Sequence, residues 1–284
     1  MKRILSLLIL ATLFLQCAPP AEKGKVREEE KQITISIPCS PTGLAIKPGN
    51  KKLLLKWFTN CAETVLLSGY NIYLLREPLE KKYFYVNPPS DIGPFNATPY
   101  PGDTDPNDSF ETMEIDGLEN GVEYFVSVRS VFPDGNVSAS SNEVGVICRP
   151  EGEFVLAFRY ANLNDGFSFA RGISARADAS ANDIYFFDKD GYDFIASPDR
   201  LNGFLRKSGI FSLGKTKDIY QYPQFQIDVE PVEKMPVRTG ESYLIKTADG
   251  NYAKIRIENI SGENKNRKLK IRYIYQNIRN LIRF

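Results

Sequence analysis

Histidine is absent from this 284-residue chain, and that gap removes every mechanism built on an imidazole, whether general base, metal ligand or partner of a nucleophile. Charge of one sign is missing as well: 36 Lys and Arg face 35 Asp and Glu, for a net of +1. Long apolar runs are also lacking. The best candidate, residues 4–15, is too short for a membrane-crossing helix, which needs about 20 residues, so an uncleaved anchor is the lesser reading of it. Tryptophan occurs once, methionine three times and cysteine four times. What the chain does hold is 42% apolar and 12% aromatic residues, with 15 Tyr and 18 Phe, a balance that argues against global disorder and favours strands over helices. Its length exceeds one typical domain of about 100–150 residues, so two folded domains are expected.

Lys2 and Arg3 precede the apolar stretch 4–15, and Cys17 closes the segment FLQC. This order reads as an export signal over residues 1–17. The cysteine position resembles a bacterial lipobox, in which the thiol is lipidated and becomes the mature N-terminus; Gln16 stands where a small residue is usual, a relaxation similar to that of spirochaete lipoproteins. The resemblance implies a lipid, palmitate included, on Cys17 and a membrane partner reached through it. Ala18 is no retention acid, so the expected location is the outer membrane of the cell envelope. Residues 18–32 are poor in apolar side chains and mix both charges, which suits a disordered tether, taken over 18–37, or an N-terminus without a role.

From Cys39 the pattern becomes short strands divided by turn residues. Alternation puts Leu53, Leu55 and Trp57 on one face and groups Tyr70, Ile72 and Leu74. Further strands are expected in FETMEI, VEYFVSVRSV and SSNEVGVI. With the prolines 38 and 41, Trp57 on the second strand, Tyr70 on the third and the set Leu118, Gly121, Tyr124, Val126, Val128, residues 38–149 resemble a fibronectin type III domain. The resemblance implies a β-sandwich in which the Tyr124 ring enters the core and its hydroxyl reaches backbone of the preceding turn. It also implies that Cys39 and Cys61 lie at one pole as a candidate disulfide, with Cys148 at the other as a buried, unpaired thiol. Residues 87–109 depart from the family as a proline-rich insertion; Asp103, Asp105 and Asp108 there invite a calcium reading, with a solvated turn preferred.

Residues 149–153 read as a short hinge into a second, mainly antiparallel β domain over 153–284, so the whole fold class is all-β. Helical periodicity appears only weakly at 276–284. ESYLIKT, ADGN and YAKIRIENI form a hairpin about an Asp-Gly turn. Tyr243, Ile245, Tyr252, Ala253 and Lys254 resemble the closing strands of HmuY-like surface lipoproteins, a family associated with haem capture. That family's paired histidines have no counterpart here, so no cofactor is expected, although Met235 or a tyrosine has the chemistry to ligate iron. FFDKDGYDF places Asp188, Asp190 and Asp193 in an order superficially like part of a calcium loop, but an Asp-Gly hairpin explains it better and no metal site is expected.

Charge divides between the halves. Residues 39–148 hold 8 basic and 14 acidic residues, a net of −6, and residues 153–284 hold 21 and 16, a net of +5. Lys246, Lys254, Arg256, Lys270 and Arg272 alternate with apolar residues and so should share one solvent face, suited to an anionic polymer or a protein partner, or simply to solubility or docking on the acidic domain. Nucleic acid is not expected as the partner of an exported chain. The resulting expectation is a membrane-tethered, non-enzymatic binding or adhesion lipoprotein. The alternatives are a secreted hydrolase, or an accessory module of one, working through paired carboxylates, and a structural envelope protein.

Overall fold

The computed structural model describes residues 39–59, 61, 66–79, 92–103, 109–159, 164–221 and 230–284. The export signal, Cys17, the tether, Asp105 and Asp108 lie outside the described residues. The regular structure of the described residues is nearly all strand, arranged as antiparallel sheets with no barrel.

The first six strands are β1 (Pro41–Gly49), β2 (Lys52–Thr59), β3 (Gly69–Leu75), β4 (Phe110–Ile115), β5 (Glu123–Val131) and β6 (Val144–Ile147). They make two three-stranded sheets, ordered β1-β2-β4 and β3-β5-β6. The period-2 pattern explains why these sheets face each other: Leu53, Leu55 and Trp57 of β2 turn inward against Ile72, Val126 and Val128, and all six are fully buried. Each such aliphatic side chain contributes about 1.5–3 kcal/mol by leaving water. Residues 92–103 of the insertion are tied to the sandwich. Tyr100 exchanges both backbone hydrogen bonds with Tyr70 of β3 (2.7 and 2.8 Å), its ring lies 6.2 Å from Trp57, and its hydroxyl donates to the Thr112 carbonyl. Asn96 adds a further tie, accepting from the Ile72 N–H and donating to the Tyr70 carbonyl.

Ten strands follow: β7 (Glu151–Ala157), β8 (Gly166–Ser168), β9 (Ile173–Ala175), β10 (Ile184–Lys189), β11 (Tyr192–Ala196), β12 (Gly209–Lys215), β13 (Lys234–Pro236), β14 (Glu241–Lys246), β15 (Tyr252–Ser261) and β16 (Lys268–Gln276). Two five-stranded sheets result, β12-β14-β15-β16-β7 and β13-β11-β10-β8-β9. Between them lies one core of Phe154, Phe167, Phe186, Ile195, Ile255 and Ile271, among others, and Arg267 crosses from one sheet to Asp193 of the other with two hydrogen bonds of 2.9 and 2.6 Å.

One expectation at the junction is corrected. Residues 149–153 are no loose hinge: the Arg149 N–H donates to the Gly49 carbonyl, the Pro150 carbonyl accepts from the Tyr275 N–H, and β7 has begun by Glu151, pairing with Ile274. Residues 277–284 are not helical. Ile282 and Phe284 pack on Phe211, Leu244 and Tyr252, while Arg283 donates to the Gly145 carbonyl and pairs with Glu123 at 3.3 Å. The tail therefore reaches β5 and β6, and the described residues all belong to one compact unit, Ile37–Phe284.

Candidate functional site

Strand alternation and register do put Lys246, Lys254, Arg256, Lys270 and Arg272 on the same side of the sheet, away from the core, with Arg256 opposite Arg272 and Lys254 opposite Ile274. They do not form a free basic face. Residues 216–221 run across it, anchored by a fully buried Ile219. Beneath this cover Lys254 is 1% exposed and its Nζ donates to the Gln221 carbonyl at 2.6 Å. Burial pushes the Lys254 ammonium down to about 8, with Asp218 opposing the shift and Arg149 adding to it. Arg256 donates to the Thr216 carbonyl and pairs with Glu258. Lys270 and Arg272 both bind Glu153, whose carboxyl they hold below its usual range. Lys246 stays exposed, 6.0 Å over the Tyr252 ring. Alternation in sequence reports which side of a sheet a residue takes, and nothing about a loop laid over that side.

Where the cover meets β7 it leaves a cleft of about 250 Å³. Glu151, Glu153, Tyr220, Arg272 and Tyr273 line it, with Ile219 behind. β7 is the edge strand of its sheet, and its alternation directs Glu151 and Glu153 to the same side. Gly152 between them lies opposite Tyr273, whose ring lies 3.4 Å from where a Cβ would be. The Tyr220 hydroxyl donates to Glu151 Oε1 at 3.2 Å, and Lys47 Nζ lies 4.3 Å over the Tyr220 ring. Glu151 Oε2 is buried and has no hydrogen-bond partner among the described residues. Arg272 spends Nε and Nη2 on Glu153 Oε1, and Lys270 takes Glu153 Oε2. No motif marks Glu151 or Tyr220 in the sequence; the E-G-E alternation at 151–153 was the available signal, and it falls in the stretch read as a hinge.

The other candidate residues serve the fold. Cys39 and Cys61 are joined by a disulfide with Cα atoms 4.6 Å apart. Cys148 is free and buried, its thiol pushed up to about 11 by burial, with Sγ facing the Lys52 carbonyl at 3.6 Å. Asp190 and Gly191 both take left-handed backbone (φ 54° and 79°) in the tight β10–β11 turn, while Asp193 is engaged by Arg267. Asp103 accepts from the Thr112 N–H and hydroxyl. Among the described residues no group of three or more His, Cys, Asp or Glu side chains is arranged to hold a metal ion. Met235 pairs with Ile195 and packs against the second core; the Tyr243 hydroxyl donates to Glu241 at 2.5 Å, with the Pro236 carbonyl 3.2 Å away. Burial raises the Asp183 carboxyl, against the opposing pull of the Phe169 N–H and Arg206, and Arg206 bridges Asp183 to Asp249.

No family model matches the chain, and no curated protein matches it in sequence. Among solved structures, it is similar to a myokine at 15% identity, covering 39% of this chain and 97% of that one, with a TM-score of 0.24. A family 28 exopolygalacturonase of Yersinia enterocolitica matches at 12% identity over 45% of this chain and 23% of its own, with a TM-score of 0.25. The twitchin kinase region of C. elegans, which includes fibronectin and immunoglobulin segments, matches at 10% identity over 84% and 39%, with a TM-score of 0.27. At these scores the likenesses carry no argument for function.

Proposed function

We propose that this chain is an exported, lipid-anchored binding protein. Cys17 carries the lipid, residues 18–37 hold the folded part off the outer membrane, a fibronectin type III-like sandwich acts as spacer, and the second sandwich presents the ligand site. The order of Lys2, Arg3, the apolar stretch and Cys17 supports the anchor. The sheet orders β1-β2-β4 and β3-β5-β6, and the Glu119 N–H donating to the Tyr124 hydroxyl at 3.0 Å, support the fibronectin reading. The HmuY likeness is kept only for the β14–β15 hairpin, without haem.

The binding role rests on one observation, the cleft at the start of β7, where Glu151, Tyr220 and the half-exposed Arg272 stand together. The partner suited to it is a small polar solute, since four of the five basic residues of the sheet face are covered or paired. Melting the full chain with a panel of polar solutes tests this: at least one should raise Tm in the parent and none in Glu151→Ala. Loss of palmitate labelling in Cys17→Ser tests the anchor.

One observation favours a hydrolase instead. Glu151 and Glu153 lie two residues apart on one side of a strand, a spacing of about 7 Å, inside the range used in glycoside hydrolysis. Against it, both Glu153 oxygens are engaged by Lys270 and Arg272, leaving no free nucleophile or base. Release of reducing ends from a polysaccharide, lost in both Glu151→Gln and Glu153→Gln, would reverse that preference.

A further inference from the structure

We propose that the chain self-associates head to tail, with the Phe204 ring of one copy entering an apolar cleft on the next. The loop between β11 and β12 holds that ring out of the molecule: Phe204 is 98% exposed, the most exposed large apolar side chain among the described residues. The loop beneath it is firmly built. The Asn202 carbonyl accepts the Leu205 N–H, the Asn202 side chain accepts the Phe204 N–H, the Ser208 N–H donates to Ser197 Oγ at 2.7 Å, and Arg206 is clamped between Asp183 and Asp249. Leu201, at the base, packs on Tyr185 and Ala196. A ring presented this way needs little ordering of its loop on binding, so most of what it buries counts toward association.

The same chain carries a place of matching size and character. A cleft of about 270 Å³ lies between β1, β6 and the C-terminal tail, and the half-buried side chains Ile46, Pro48, Val144 and Phe284 give it an apolar lining. The Gln276 amide donates to the Arg283 carbonyl, and the Arg283 guanidinium is held by Glu123 and the Gly145 carbonyl, so these polar groups ask nothing of an occupant. Arg149 lines the cleft too, and a guanidinium is a favourable neighbour for an aromatic ring. An apolar cavity of about 150 Å³ already takes benzene, so there is room for the benzyl group of Phe204. The β7 cleft suits it less, being lined by Glu151, Glu153 and Arg272.

Symmetry and charge favour this contact over a symmetric one. Loop and cleft are different surfaces, so a contact that uses both is heterologous: each copy gives its loop to one neighbour and its cleft to another, forming a chain of copies or, if the rotation closes, a ring. The cleft is walled largely by the first sandwich, whose residues 39–148 carry a net of −6, and the loop belongs to residues 153–284, with a net of +5. Loop against cleft joins unlike signs, whereas loop against loop brings two positive halves together.

The test puts a photoreactive ring on the loop: the full chain with Phe204→p-benzoylphenylalanine is irradiated in intact cells and its products are mapped by mass spectrometry. The expected product is a dimer of the chain in which position 204 of one copy joins residues 46–48, residues 144–148 or Phe284 of the other, with a yield about tenfold lower when the cleft carries Val144→Glu. Pro48→Glu reads the same wall if Val144→Glu does not fold. Sedimentation of the full chain in detergent supplies the second arm. Phe204→Ser and Val144→Glu should each run as monomers, and their mixture should give a dimer and nothing larger, since one copy then keeps only a cleft and the other only a ring. A product joining 204 to 204 would show a symmetric contact, and one joining 204 to lipid or to another protein a different partner; either overturns the proposal. So does a yield that ignores both cleft substitutions, or one no higher than that from Tyr192→p-benzoylphenylalanine, an exposed position on the β10–β11 hairpin.

Discussion

Tyr124 performs two separable tasks, filling the first core with its ring and accepting the Glu119 N–H on its hydroxyl. Tyr124→Phe should therefore cost about 1 kcal/mol, a lost hydrogen bond, and Tyr124→Ala about 3–5 kcal/mol, a lost aromatic in a closed core. Denaturant melts of the two variants check both figures. Lys254 makes a different prediction because its ammonium is buried. Its folded value of about 8 lies below the unfolded 10.5, so between those pH values the folded state holds fewer protons. Stability should rise with pH across that window, by up to about 3 kcal/mol, and be unaffected by this group below it. Lys254→Met should remove that rise, seen as a pH-dependent difference between variant and parent in urea midpoints. A difference that is constant from pH 7 to 10.5 would show that the ammonium is not desolvated.

At the level of elements, the disulfide and the insertion restrain the same sandwich in different ways. Cys39 precedes β1 and Cys61 follows β2, so the bridge closes a loop with a sequence separation of 22 around that hairpin. Cys39→Ser with Cys61→Ser should cost about 2–4 kcal/mol, mainly by freeing the unfolded chain, and the loss should appear as a lower Tm equal to that of the reduced parent. The insertion acts in the folded state instead: Tyr100 adds backbone hydrogen bonds to β3 and an edge-on ring to Trp57. Its prolines and glycine hide any period, so a segment that reads as an excursion supplies part of the core's lid.

For the whole molecule, the C-terminal tail decides whether the two sandwiches behave as one. Asn277 lies so close to Gly121 that an added Cβ would come within 2.6 Å of its side chain, and Arg283 binds Glu123 and the Gly145 carbonyl. Removing residues 279–284 takes away the Arg283 contacts and exposes Phe211, Leu244 and Tyr252. Calorimetry should then show two transitions in place of a single cooperative one. A single unchanged transition would mean that the Arg149–Gly49 and Lys47–Tyr220 contacts suffice.

By itself the sequence determined the all-β class, most strand positions, the inward faces of β2 and β5 and the Asp-Gly turns, because these depend on residues one to four apart. Period-2 alternation and left-handed turn residues act locally, and they act the same way in any tertiary setting. Only the tertiary structure decided the fate of the basic residues and the position of the candidate site. Lys254 lies beneath a carbonyl 33 residues away, Arg272 meets Glu153 across 119 residues, and Glu151 meets Tyr220 across 69. Whether a charge is solvated, paired or covered depends on what is brought against it, and that is set by packing between distant elements, where periodicity in the chain carries no information.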